Sequence, residues 1–370
     1  MSQLQVNRIN DASGGVLAPI SSVMRNRIIN GGMTISQRNG TSSVTITDTS
    51  LLTYTLDRWF GYGSSASKFS IQQDAGAVTP PVGFSDYLGV TSLAATTVAA
   101  GDLYFAGQYI EGFNTADLGW GTANAKTVTL SFQVRSSLTG TFGGALTNFG
   151  NTRSYPFTYS IPTANTWTTI SITIAGDITG TWVGATNSVG LRVFFGLGMG
   201  STFSGTAGAW AGADYRSATG ATNVVSTNGA TWYLTGVQLE VGTQATSFEY
   251  RQYQQELALA QRYYTKLGAS PQGSSGYQAY GAGSCNTSTN QNTALTFPQV
   301  MRASPTVAFT ANIGISVAGG YTNCTLAAAY AGTSSTLLQT SSSATGGGGD
   351  GCVLLSNSDS AAFISLSAEL

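Results

Sequence analysis

Before Tyr253 this chain carries several runs in which apolar residues recur at every second position, and no stretch of helical period of useful length. Val128, Leu130, Phe132 and Val134 alternate with Thr129, Ser131 and Gln133. Ile170, Ile172 and Ile174 alternate with Ser171 and Thr173, and Leu191, Val193, Phe195 and Leu197 repeat the pattern. A period of two puts one face of an extended strand inward. From Trp232 the inward phase runs through Leu234, then slips by one so that Val237 and Leu239 face in. Gly236 stands at the slip, which predicts a β-bulge. Gly and Asn clusters separate the runs, so residues 25–250 read as one all-β domain, a two-sheet jelly-roll β-sandwich.

Composition agrees with many half-buried strands. Only 8% of residues are charged, against about a quarter in ordinary domains. Hydrophobic residues make up 42% and glycines number 47, so the chain lacks the low hydrophobicity and high net charge of disorder. Its 370 residues allow two core-bearing units. Such a sparsely charged surface favours association, and an obligate oligomer would bury it.

The same inventory excludes functions. Net charge is −1, which leaves no electrostatic footprint for nucleic acid or an anionic membrane. No run of 18 apolar residues occurs, so membrane insertion is not expected. Histidine is absent, which removes His-dependent triads, His-ligated metals and His proton relays. Cys285, Cys324 and Cys352 are odd in number and lack CxxC spacing, so they read as reduced, packed thiols. No cofactor and no metal are expected. The N-terminal MSQLQVNRINDASGG has no apolar signal region, and synthesis in a cytoplasm is the expectation.

Three further segments complete the organisation. Residues 1–24 have Leu4, Val6 and Ile9 as apolar anchors and a turn at 11–15; they are too short for a core and must dock elsewhere. Residues 251–268 form a connecting helix, in which Tyr253, Leu257, Ala260 and Tyr264 share one face. The helical pattern spans 252–267, with Gly268 placed as its C-cap and Pro271 beyond it. Residues 269–370 form a smaller C-terminal β-sandwich, with strands at 294–297, 306–310, 313–317, 325–328, 353–356 and 363–366. Past Lys266 only Arg302, Asp350, Asp359 and Glu369 carry charge, a composition suited to burial between subunits. The run 346–349 reads as a flexible glycine loop and not a phosphate cradle, since no Lys-Ser/Thr follows.

Two chemistries remain. Glycoside cleavage needs two carboxyl groups about 5–10 Å apart, and the acids of the domain include Asp57, Asp86, Asp102, Glu111, Asp117, Asp177 and Asp214. Asp57 reads as an ion pair with Arg58 beside Trp59, and Asp102 as a turn residue. No motif selects a pair, so an enzyme is not expected. Carbohydrate binding needs aromatic faces and neutral hydrogen-bonding groups. Trp120, Trp182 and Trp210 lie in glycine-rich loops with Tyr215 close by, and are the candidate sugar contacts; Trp167 and Trp232 lead strands and read as core.

Short motifs carry a resemblance. The stretch ATWYLTGVQLEVGTQATSFEYRQYQQELALAQRYYTK (230–266) resembles the junction in bacteriophage tail-fibre and appendage proteins where a jelly roll gives way to the fibre tip. FPQVMRASPTV (297–307) resembles the signature that follows it, and LQVNRINDASGG (4–15) is similar to the starts of such proteins, which attach to the virion. RIINGGM (27–33) and TWYLTGVQLE (231–240) are similar to the opening and closing strands of carbohydrate-binding modules. Many of those hold a structural calcium through an acidic pair in the closing strand, where this chain has Thr235 and Gly236. The resemblance implies a homotrimeric virion protein, a tail fibre or appendage made in the host bacterial cytoplasm. Its N-terminus would dock on tail, portal-adaptor or capsid proteins, and it would adhere to host-surface glycan. A head fibre, decoration or adaptor protein without a specific receptor is the alternative.

Overall fold

The computed structural model describes residues 25–268, 276–310, 312–343 and 346–370, and the backbone of Arg8–Asn10 and Val16–Pro19. These last two are antiparallel strands β1 and β2. Ile9 therefore lies in a hairpin, while Leu4 and Val6 fall outside the described residues. The chain divides into two compact units, Met1–Tyr253 with Leu370, and Gln254–Glu369.

The first unit is a sandwich of two six-stranded antiparallel sheets. Its strands are β3 (Val44–Thr45), β4 (Thr53–Tyr54), β5 (Phe60–Gly63), β6 (Phe69–Gln73), β7 (Leu88–Ser92) and β8 (Leu103–Glu111). There follow β9 (Val128–Ser136), β10 (Gly140–Thr147), β11 (Ser154–Ile161), β12 (Thr168–Ile174) and β13 (Val189–Met199). After the short parallel pair β14 (Ser204–Gly205) and β15 (Ser217–Ala218), β16 (Thr231–Val241) closes the unit. One sheet runs β11-β10-β13-β8-β5-β4 and the other β12-β9-β16-β7-β6-β3. Between them Trp59, Phe132, Phe157, Phe195 and Trp232 form the centre of the core. The predicted bulge is present: the β16–β9 register shifts between Thr235 and Gln238, and Gly236 has φ 62°.

Two expectations need correction here. β13 buries both faces, not one, because Phe194 and Met199 join Phe60, Leu103 and Phe105 in a second apolar cluster on the far side of the sheet. Segment 204–218 comes close to that side, and Gly143 and Gly196 make room for it; a Cβ at either would lie 2.4 or 2.7 Å from Ser217 Oγ. Residues 27–33 do not form a ladder strand. They lie beside β16, with Arg27 N donating to Leu239 O (2.9 Å) and Val237 N donating to Gly31 O (2.9 Å).

The helix is shorter than its periodicity implies. α1 covers Tyr253–Gln261, nine residues. Tyr264 and Thr265 instead start β17 (Tyr264–Gly268), pairing with Ser367 and Leu366. A helix of this length is marginal by itself, and ladder bonds to aromatic and β-branched residues outcompete a further turn. Ala260 is buried, but Tyr253 is 59% exposed, so the predicted stripe is not one buried face.

In the second unit all six expected strands appear. β20 (Thr306–Phe309), β21 (Ile313–Val317), β24 (Gly351–Ser356) and β25 (Phe363–Ser367) lie close to their expected bounds. β18 (Ala279–Cys285) and β23 (Ser335–Ser342) lack a clear pattern in the sequence, and β19 (Asn290–Thr296) and β22 (Gly320–Ala331) extend beyond it. Where a sandwich is expected, β18-β19-β23-β22-β21-β24 close into a barrel, and β17-β25-β20 form a separate sheet. The twelve-residue β22 explains the closure. Its first part pairs with β21 and the rest with β23, with a register shift between Leu326 and Ala328. A bulge bends a strand in this way, and a closed barrel exposes no edge.

Candidate functional site

The structure brings Trp120, Trp182 and Trp210 together. Their ring centroids are 4.8, 5.2 and 5.5 Å apart, each pair edge to face. Every indole N–H already donates: Trp120 to Lys126 O (2.8 Å), Trp210 to Ala175 O (2.7 Å), and Trp182 to Asp177 Oδ2 and Thr179 O (3.2 Å each). Arg153 forks onto Asp177 through two 2.7 Å bonds. Burial alone would raise the Asp177 carboxyl, but the Arg153 fork, the Thr179 N–H and the Trp182 indole outweigh it and hold its pKa below the usual value. Trp120 is buried, and Trp182 and Trp210 are half-buried against the core. Edge-to-face indoles spend their faces on each other. A cleft of about 160 Å³ opens between Trp120, Trp182, Thr115, Thr122 and Val183. Tyr215 lies over Gly205, where a Cβ would meet its ring at 2.2 Å, and no ring contact joins it to the tryptophans among the described residues.

A larger cavity, about 300 Å³, lies on the outer side of the β12-β9-β16 sheet. Its floor is the outward phase of two strands: Ser131 and Gln133 on β9, Thr169 and Ser171 on β12. Thr169 Oγ1 donates to Gln133 Oε1 at 3.1 Å. The Gln133 amide N–H groups and the Ser131 and Ser171 hydroxyls have no partner among the described residues. Phe84, Phe248 and Tyr250 form the wall, with centroids 5.0, 5.7 and 5.0 Å apart. The bulge makes this wall possible: a Cβ on Gly236 would lie 2.6 Å from the tip of the Phe84 ring. Tyr250 is 63% exposed at the rim. No charged residue lines the groove. Phe248 meets Phe84 and Tyr250 edge to face, as the tryptophans meet one another, but Tyr250 stays open at the rim, and an exposed ring beside neutral donors suits an oligosaccharide. Neither Phe84 nor Tyr250 carries the tryptophan-and-glycine signal of a candidate contact. The legible sign is that β9 and β12 turn outward a row of uncharged hydrogen-bonding residues.

The wall segment 246–250 also belongs to a polar clasp. Glu240 accepts from Gln238 Nε2 (2.8 Å), Thr246 N (2.8 Å) and Thr246 Oγ1 (2.6 Å). Glu249 accepts from Asn26 N at 2.8 Å and pairs with Arg251 at 3.0 Å, and its own N–H donates to Gln238 Oε1 at 2.8 Å. Arg25 Nη2 donates to Ser247 O at 2.7 Å. At the positions where the resemblance places a calcium, Thr235 Oγ1 donates to Asp86 O (2.8 Å) and Gly236 forms the bulge, so these residues do not fit a calcium site. Among the described residues no three acidic or cysteine side chains converge on a possible metal position.

The carboxylates have structural partners. Arg27 forks onto Asp117 (2.8 and 2.7 Å), Arg216 onto Asp214 (3.1 and 3.0 Å), and Asp102 accepts from Ala99 N in a turn (2.8 Å). Asp57 accepts from Gln37 N at 3.1 Å, while Arg58 reaches Tyr109 O. Asp74, a residue outside the candidate set, has a raised pKa: burial is the main cause, and the Asp86 charge and side-chain hydrogen bond add to it. Two hydrogen-bonded carboxyls leave no room for a scissile bond, which needs about 5 Å or more between them. Cys285 and Cys352 are buried and Cys324 half-buried, all reduced; burial pushes the Cys324 thiol up to about 12. Residues 346–349 are pinned, not loose: Gly349 N donates to Cys285 O (2.8 Å) and Gly347 N to Asp350 Oδ2 (2.6 Å).

No protein-family model matches the chain, and no curated protein matches its sequence. Among solved structures it is similar to a protein from Bacteroides thetaiotaomicron described as sugar-binding. That match has 13% identity and a TM-score of 0.35, over 59% of this chain and 100% of that one. The family 11 carbohydrate-binding module from Clostridium thermocellum matches at 10% identity and a TM-score of 0.27, over 56% and 99%. The enzymatically active domain of tailspike protein 4 of bacteriophage CBA120 matches at 11% and 0.31, over 59% of this chain and 22% of that one. Likeness this low transfers neither ligand nor role, and the sandwich stands on its own strand order.

Proposed function

We propose that this chain is a non-catalytic glycan-binding protein and that sugar sits in the groove between Phe84, Tyr250, Gln133 and Thr169. The observation that carries the reading is the three-ring wall over a floor of unpartnered neutral donors. Trp182 remains a secondary contact at the smaller cleft, which the buried Trp120 also lines, while Trp210 and Tyr215 serve packing. A groove without charge predicts a neutral glycan and little dependence on salt. Titration with neutral oligosaccharides tests this: Tyr250→Ala and Gln133→Ala should each weaken binding. Unchanged affinity in both variants would overturn the assignment.

The biological setting we propose is a bacteriophage particle, with the chain as a homotrimeric tail fibre or related appendage. Residues 1–24 would attach it to tail, portal-adaptor or capsid proteins. Support comes from the motifs at 4–15, 230–266 and 297–307 and from the nearly charge-free C-terminal unit. Particles whose copy lacks residues 1–24 should not carry the protein; its retention on purified particles would remove this reading and leave the groove untouched.

A further inference from the structure

The barrel of the second unit carries a separately built surface. Asn357 Nδ2 donates to Asn323 Oδ1 (2.8 Å), Asn323 Nδ2 to Asn312 Oδ1 (3.2 Å), and Asn312 Nδ2 to Asp359 Oδ2 (3.0 Å). An ionised carboxylate only accepts, so Asp359 fixes the direction of every amide in the row. Asp359 stays ionised, its pKa lowered by the Asn312 hydrogen bond and then by the Ala361 N–H. The row therefore ends on the Asn357 Oδ1 acceptor, and Asn323 and Asn357 each keep one N–H with no partner among the described residues.

Gly314 is what lets this row form. It pairs with Asn323 across β21 and β22, and a Cβ on it would lie 2.7 Å from Asn357 Cβ. A Cβ there would crowd Asn357 and, at 2.8 Å, the Thr322 carbonyl, and so shift the Asn357 amide away from Asn323. Two residues before Asn323, on the same face of β22, Tyr321 stands 56% exposed. Its ring is 4.8 Å from that of Tyr277, itself 46% exposed. That spacing along a strand puts Tyr321 and Asn323 about 7 Å apart. Two open phenol rings thus adjoin a row of amides whose orientation is already set.

We propose that Tyr277, Tyr321, Asn323 and Asn357 form a second carbohydrate site, one that takes a neutral oligosaccharide. The rings would stack on a sugar face and the amides would meet its hydroxyls. The ligand is neutral because no basic side chain among the described residues contacts these four: Arg302 donates to Ala368 O and Glu369 O, and Lys266 lies 4.2 Å over the Phe363 ring. The site is independent of the groove. A chain with both would bind a polymeric glycan more tightly than either alone, by raising the local concentration for the second contact.

The test uses the full chain and a panel of cellohexaose, mannohexaose, chitohexaose and galactotetraose, titrated by calorimetry and saturation-transfer NMR. In a Tyr250→Ala background, binding to at least one probe should persist. It should then weaken about tenfold on adding Tyr321→Ala, the order of loss for a stacking ring. Gly314→Ala should weaken it too, although it touches no ring, and unfolding curves of each variant check the fold. The proposal is overturned if Tyr250→Ala alone abolishes binding, if the residual binding ignores both barrel changes, or if no probe binds. Loss of all binding in Tyr321→Ala with the groove intact would instead overturn the groove reading.

Discussion

Gly236 joins backbone strain to the candidate site. Its φ of 62° suits glycine, and its missing side chain is where the Phe84 ring lies. Gly236→Ala should cost about 1–3 kcal/mol in denaturant unfolding and displace Phe84, so glycan affinity should fall together with stability. Asp74 gives a change of opposite sign. Its folded pKa is raised, so the stabilisation tied to its protonated form is complete below the ordinary value of 3.8 and lost as pH rises through the folded value. Asp74→Asn keeps an acceptor for Tyr87 N and tolerates φ of 55°. It should raise the melting temperature at pH 7, and the gain should vanish below about pH 3.8; an equal gain at both pH values would contradict this. At this scale the sequence was partly legible. The three loop tryptophans do meet, but aromatic identity cannot say whether a ring packs on its neighbours or faces solvent. Phe84 and Tyr250 were illegible because the segments carrying them fold onto a sheet face far away in sequence.

Strands proved more readable than the helix. A period of two survives in β9, β12 and β21 because each has one core face, and the slip at Gly236 marks the bulge directly. β18, with sequence AYGAGSC, and β23, with STLLQTSS, have no such contrast, so only the closed barrel reveals them. The segment 246–250 divides its residues by role: Thr246, Ser247 and Glu249 serve the clasp, while Phe248 and Tyr250 form the groove wall. Glu249→Ala removes a charged acceptor from Asn26 N and Arg251 and should cost about 2–3 kcal/mol of stability. It should also loosen the wall, so glycan affinity should drop although Glu249 does not line the cavity. Retained affinity in a destabilised variant would separate the two roles.

For the whole molecule, two compact units share a chain that is 8% charged. Closed-ring assembly is the economical way to cover such a surface, since one patch then serves every copy. The full chain should scatter light as a trimer at micromolar concentration, and a stable monomer would contradict the proposed assembly. Fold class followed from strand period and composition; the barrel did not, because closure depends on where one long strand changes partners. In the proposed setting, with the N-terminus held on a particle and the chain gripping a glycan, the clasp would have a mechanical meaning. It ties residues 25–28 to 246–251, so tension entering at residue 25 would leave at residue 251 by a short load path that bypasses the strands. The sheets would stay unloaded while the clasp takes the strain. Because Phe248 and Tyr250 alternate with the clasp residues, a hard enough pull would open the sugar's wall before it unfolds the sandwich, and the grip on a surface would loosen under force.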